Sequence, residues 1–170
     1  MKKHLPIFIF ITTAIFVSVF ILLTSGSLPD VVASHFNGQG RANGHMPKLF
    51  YECFMLAFTV GIPLVVIASS SLVSRFSDKR INIPNKQIWL SEKYREETFA
   101  YLRGHAYVMG SLISGFMGYI HWLVVRGNAS TPAMISSHEI MVSVALFLLS
   151  IMGMIIMLPM KFMRLPKEGR

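Results

Sequence analysis

Four apolar runs decide what this chain can become: "LPIFIFITTAIFVSVFILL" at 5–23, "LFYECFMLAFTVGIPLVVIASSSLV" at 49–73, "FAYLRGHAYVMGSLISGFMGYIHWLVV" at 99–125 and "IMVSVALFLLSIMGMIIMLPM" at 140–160. Each is long enough to cross roughly 30 Å of hydrocarbon at about 1.5 Å per residue of helix. Backbone N–H and C=O groups meet no water in lipid, so a spanning run must satisfy them internally, as a helix. Hydrophobic residues make up 53% of the 170 and charged residues 14%. That balance cannot clothe a water-facing surface. The sequence predicts one all-α membrane domain over 1–170: a four-helix bundle of up-down-up-down order, with spans near 5–23, 49–73, 99–125 and 138–160. Loops at 24–48 and 74–98 join them. Lys2-Lys3 before the first run imitates a signal peptide. Its 19-residue apolar core exceeds the usual 7–15 residues of a cleaved signal, so the first run reads as a retained anchor.

Charge orients the bundle. Of the 16 Lys and Arg, 13 fall on the side shared by the N-terminus, the 74–98 loop and the C-terminus; only Arg41, Lys48 and Arg126 fall on the other. The positive-inside rule puts both termini in the cytoplasm. The net charge of +8 is then wholly cytoplasmic and speaks for membrane topology and contact with anionic lipid, not for nucleic acid. The lone cysteine, Cys53, can form no intrachain disulfide and reads as a small core residue.

Local signals refine the elements. Pro84-Asn85 marks a turn, Trp89 suits the interface, and Ser91 is placed to cap a helix running unbroken into the third span, about 52 Å from Ser91 to Val125. Ala106, Gly110, Ser114 and Gly118 recur every four residues, a ridge that lets helix backbones approach closely in lipid. Packing within the chain is the leading reading of this ridge; the seam of a homo-oligomer is the second. Ser111 and Gly115 add a second row. Pro63 predicts a kink that frees a carbonyl near Thr59. Asn128-Ala-Ser is a glycosylation sequon expected to go unused.

The residues that could carry chemistry gather toward the outer face. His35 and His45 lie in the first loop, His121 one turn inside the third span, His138 at the start of the fourth beside Glu139, and Glu52 one turn into the second. Ionisable groups at membrane depth are costly and turn inward to a partner or to water. His35, His121, His138 and Glu52 are candidate ligands for a divalent metal such as zinc. A His–Glu proton site is the second reading. Plain interfacial polarity is the third: Ser136 with Glu139 makes a capping box, and Glu52 can pair with Lys48. No HExxH spacing, nucleophile–base pair, phosphate loop or haem motif is visible.

The loop "LPDVVASHFNGQGRANGHMPK", 28–48, enters from one span and leaves into the next. Leu28-Pro29, His35-Phe36-Asn37, Gly40 and Lys48 resemble the signature of domain of unknown function 1648, although "VVAS" lacks the Pro that family often has shortly before the His, and Arg41-Ala42-Asn43 stands where it usually has an Asp. The resemblance implies a bacterial inner-membrane protein related to SdpI-type immunity proteins, which protect a bacterium from a secreted toxic peptide and hold a regulator at the membrane. Read physically, Pro29 ends the first helix and Asn37-Gly38 and Asn43-Gly44 supply turns that fold the loop over the bundle mouth. The resulting expectation is a non-enzymatic sensing, immunity or regulatory protein that meets a peptide or protein partner. The alternative is a small transporter, or a metal- or proton-dependent membrane enzyme using the outer His/Glu cluster.

Overall fold

The computed structural model describes residues 4–165. Lys2, Lys3, Lys167, Glu168 and Arg170, which entered the charge reading, lie outside the described residues. Four helices are long and apolar enough to cross a membrane: Leu5–Ser25, Lys48–Val73, Glu92–Asn128 and Ser137–Met163. The first is α1. The second is α2 (Lys48–Leu56), a π-helical turn (Ala57–Gly61) and α3 (Ile62–Val73). A short helix, α4 (Lys86–Trp89), precedes α5 (Glu92–Asn128) and α6 (Ser137–Met163). The chain is mostly helical but not wholly so. The 28–48 loop, read as turns alone, is a two-stranded antiparallel sheet of β1 (Val31–Phe36) and β2 (Ala42–Pro47). Its β-branched start and Gly-containing turn at 37–40 give a hairpin, which satisfies its backbone where a loose loop would not.

Pairwise contacts fix how the spans meet. A Cβ on Gly104 would lie 3.7 Å from the Pro6 ring, one on Gly110 would lie 3.2 Å from the Phe10 ring, and one on Gly118 would lie 2.9 Å from Val17. These pairs advance together along α1 and α5. The ridge Ala106, Gly110, Ser114 and Gly118 is buried throughout, and its packing is intramolecular, against α1 and the second span. The second row differs: a Cβ on Gly115 would meet nothing within 4 Å.

The kink at Pro63 takes a specific form. Proline has no N–H, and its ring crowds the carbonyl four residues earlier, that of Thr59. The helix widens into the π turn there, and Ser114 Oγ donates to the released Thr59 carbonyl at 2.7 Å. A freed acceptor in hydrocarbon is thus satisfied by a neighbouring helix.

The fourth span is held differently. Its most apolar stretch is wholly unburied within the protein. Phe116 and Phe147 stack at 4.0 Å midway, Arg126 pairs with Glu139 at one end, and Phe162 is buried at the other. There Trp89 Nε1 donates to the Phe162 carbonyl at 3.0 Å, and Asn85 Nδ2 donates to Phe162 and Met163 carbonyls at 3.0 and 3.2 Å. Trp89 is therefore no interfacial ring; it is 1% exposed and caps the end of α6. The turn at Asn85 (φ 50°) aims both donors. Three further expectations are corrected. Ser91 occupies the N-cap position of α5, but its hydroxyl donates back to Ile88 at 2.6 Å. Cys53 is exposed on the flank of α2, not in the core. Glu139 N–H bonds Ser136 Oγ, yet the Glu139 carboxylate turns to Arg126, so only half the capping box forms.

Candidate functional site

The largest buried apolar cluster lies where α1, α2 and α5 meet beneath the hairpin: Val17, Ile21, Leu28, Val32, Tyr51, Met55 and Val124. Inside it sits His121, 0% exposed. Tyr51 lies one turn into α2, on the same face as Met55 and Thr59, which follow at four-residue intervals and are also buried. Thr24 closes α1. The three converge: Tyr51 Oη lies 2.9 Å from His121 Nδ1, and Thr24 Oγ1 lies 2.7 Å from Nε2. The Tyr51 ring stacks on the imidazole at a centroid distance of 5.7 Å, and Phe20 meets it edge-on.

Proton positions follow from counting donors. Thr24 Oγ1 spends its only hydrogen on the Phe20 carbonyl at 2.7 Å. It must therefore accept from His121, which puts a hydrogen on Nε2. Nδ1 then carries the lone pair, and Tyr51 O–H donates to it. The chain Tyr51 → His121 → Thr24 → Phe20 carbonyl is complete with a neutral imidazole, every member satisfied. It ends at a backbone carbonyl, which can accept a hydrogen bond but cannot carry a proton onward. What this arrangement does is lock three helices in one register, since a misaligned helix would strand a polar group in hydrocarbon.

The four residues weighed as metal ligands are not brought together. Among the described residues no three His, Cys, Asp or Glu side chains could jointly hold a metal ion. His121 has both nitrogens engaged. His35 lies on the exposed hairpin, where its Nδ1 donates to Asn43 Oδ1 at 2.6 Å. His138 is exposed at the start of α6, beside the apolar cleft between α5 and α6. Glu52 is half-buried on α2. Lys48 does not reach toward it; its ammonium donates to the Gly26 and Leu28 carbonyls at 3.2 and 3.1 Å, closing the end of α1.

The motif residues of the 28–48 loop mostly hold the hairpin in place. Leu28 is buried, and Phe36 packs against the central cluster. Asn37 Oδ1 accepts from the N–H groups of Gln39 and Arg41, both at 3.0 Å, and so builds the turn. Gly40 has φ 77°, a left-handed conformation, and a side chain there would collide with the Ile135 carbonyl. In its absence Ile135 N–H bonds the Gly40 carbonyl at 2.9 Å, and Ala42 N–H reaches Ala133 at 3.3 Å. Asn128 completes the clamp: its Oδ1 accepts from Ala33 N–H, and its Nδ2 donates to the Ala33 and Val124 carbonyls, each at 2.9 Å. The sequon asparagine thus serves as a piece of strand. Left facing outward are His35, Gln39, Arg41, Asn43 and His45, all exposed.

Tyr51 and Thr24 escaped the sequence reading because each is an ordinary residue in or beside an apolar run, and Asn128 drew notice only as a sequon. The signal for Tyr51 was its place on the face shared with Thr59 and Pro63, opposite the small-residue ridge.

Residues 7–61 match the family model described as domain of unknown function (DUF1648), from α1 through the hairpin to the π turn. The resemblance drawn from the loop agrees with that match. No curated protein matches the chain, and no solved structure does.

Proposed function

Starting from a chain whose residues 7–61 match DUF1648, we propose a non-enzymatic sensing, immunity or regulatory protein of the bacterial cytoplasmic membrane. It crosses the bilayer four times in up-down-up-down order with both termini inside. The hairpin stands outside and meets a peptide or protein partner. The uneven distribution of Lys and Arg supports this orientation. The observation that carries the binding role is the clamp. Asn37, Gly40, Lys48 and Asn128 all serve to fix the hairpin, while polar side chains with no structural duty, Gln39, Arg41 and His45, face out. A surface ordered before binding loses less entropy when a partner arrives. Transport, or metal- or proton-dependent catalysis, has less support, because the one fully buried histidine is already saturated and its hydrogen-bond chain stops at a carbonyl.

Photo-crosslinking residues placed at positions 41 and 45 in living cells test the reading, with lipid-facing position 148 as control. The expected result is a discrete adduct at 41 and 45 that Gln39→Ala weakens. Adducts no stronger than at 148 would refute it.

A further inference from the structure

A cleft of about 740 Å³ lies at the end of the protein opposite the hairpin, walled by α1, α5 and α6. Pro6, Gly104, Met154 and Met157 give it apolar walls, and Tyr101 and His105 line it as well. At Val108 it meets a second cleft, of about 760 Å³, that continues between α5 and α6. From Glu97 to Val108 is about 16 Å of helix, close to half the roughly 30 Å thickness of a bilayer's hydrocarbon core. Because Pro6 packs on Gly104, the start of the first apolar run is level with the cleft interior. Glu97 and Lys161 then lie at headgroup depth.

The mouth carries Lys93, Glu96, Glu97 and Lys161. Lys161 Nζ lies 3.2 Å from Glu97 Oε1, with side chains 34% and 57% exposed. An ion pair so open to solvent is weak and exchangeable, while the Trp89 ring, 4.6 Å from Lys161 Nζ, keeps the ammonium at the mouth. An anionic headgroup would set its phosphate near the Glu97 carboxylate with no cation of its own to answer it. A headgroup with both a phosphate and a primary ammonium matches both signs.

We propose that this cleft binds a zwitterionic aminophospholipid, with one acyl chain between α1, α5 and α6, its phosphate at Lys161 and Lys93 and its ammonium at Glu97. The site rests on the membrane-spanning reading but not on what the hairpin binds. The test is native mass spectrometry of the full chain released from nanodiscs of equal phosphatidylethanolamine, phosphatidylcholine and phosphatidylglycerol. Phosphatidylcholine keeps the zwitterion but cannot donate a hydrogen bond to Glu97. The expected result is phosphatidylethanolamine retained several-fold over both others. Glu97→Gln with Lys161→Ala abolishes the preference. Gly104→Leu, whose Cβ makes only ordinary contact with Pro6, fills the cleft and lowers retention of all three, with an unchanged melting temperature showing that the fold persists. Equal retention of the three lipids by the unaltered chain overturns the proposal, as does a preference for phosphatidylglycerol. Full retention by a folded Gly104→Leu protein overturns it too.

Discussion

At the scale of single residues, the packing of the helices depends on donors and acceptors paired in hydrocarbon. Removing one partner of His121 leaves the other stranded, at a cost of about 1–3 kcal/mol, whereas replacing the whole set by apolar groups of similar shape can be nearly neutral. Tyr51→Phe and Thr24→Val should each lower the melting temperature of detergent-solubilised protein. The triple variant Tyr51→Phe, Thr24→Val, His121→Leu should recover much of the loss. If the triple variant is worse than the sum of the singles, the network does more than fix helix register. Asn128 offers a sharper case. Its amide both donates to and accepts from Ala33, and a carboxylate can only accept. Asn128→Asp should destabilise by about 1–3 kcal/mol and expose the hairpin to protease, read as faster cleavage within 37–41. Neither role could be foreseen, because a Tyr in an apolar run does not announce its partner and Asn128 stood out only as a sequon. The histidine was conspicuous. What surrounds it was not, and the expected ligand cluster dissolved once β1 and β2 carried His35 out onto an exposed strand.

At the scale of elements, sequence was most informative where one rule acts alone. Length and apolarity placed one run inside each of the four long apolar helices, the third of which starts well before its run, at Glu92, and the four-residue spacing of small side chains picked out the buried face of α5. Pro63 foretold the freed Thr59 carbonyl, because a missing N–H has a fixed consequence four residues back. Elements set by tertiary contact were illegible. The hairpin depends on Asn128 and on residues 133–135, distant in the chain. Trp89 looked interfacial because nothing in "QIWL" reveals that the end of α6 will cover it. The ridge makes a paired prediction. Gly118→Ala pushes a methyl against Val17 and should cost about 1–3 kcal/mol, partly recovered by Val17→Ala. Gly115→Ala faces open space and should be neutral or stabilising by up to about 1 kcal/mol through helix propensity. Thermal melts of the four proteins distinguish the buried row from the open one.

At the scale of the whole molecule, three helices form a packed unit roofed by a fixed hairpin, and a fourth is tied at its ends and middle. The tie at α6 is testable: Trp89→Phe removes the donor to Phe162 and leaves its carbonyl with Asn85 alone. It should raise protease cleavage near Leu165 while leaving the hairpin protected. The proposed role requires that the hairpin and the 74–98 segment lie on opposite sides of the membrane, so their sidedness is the measurement to make. In a Cys53→Ala background, single cysteines at Gly38, where a side chain meets open space, and at Ser77 would be probed in intact cells with a membrane-impermeant maleimide. The account predicts immediate labelling at position 38 and labelling at position 77 only after permeabilisation. Labelling of both from outside, or of 77 alone, would contradict it.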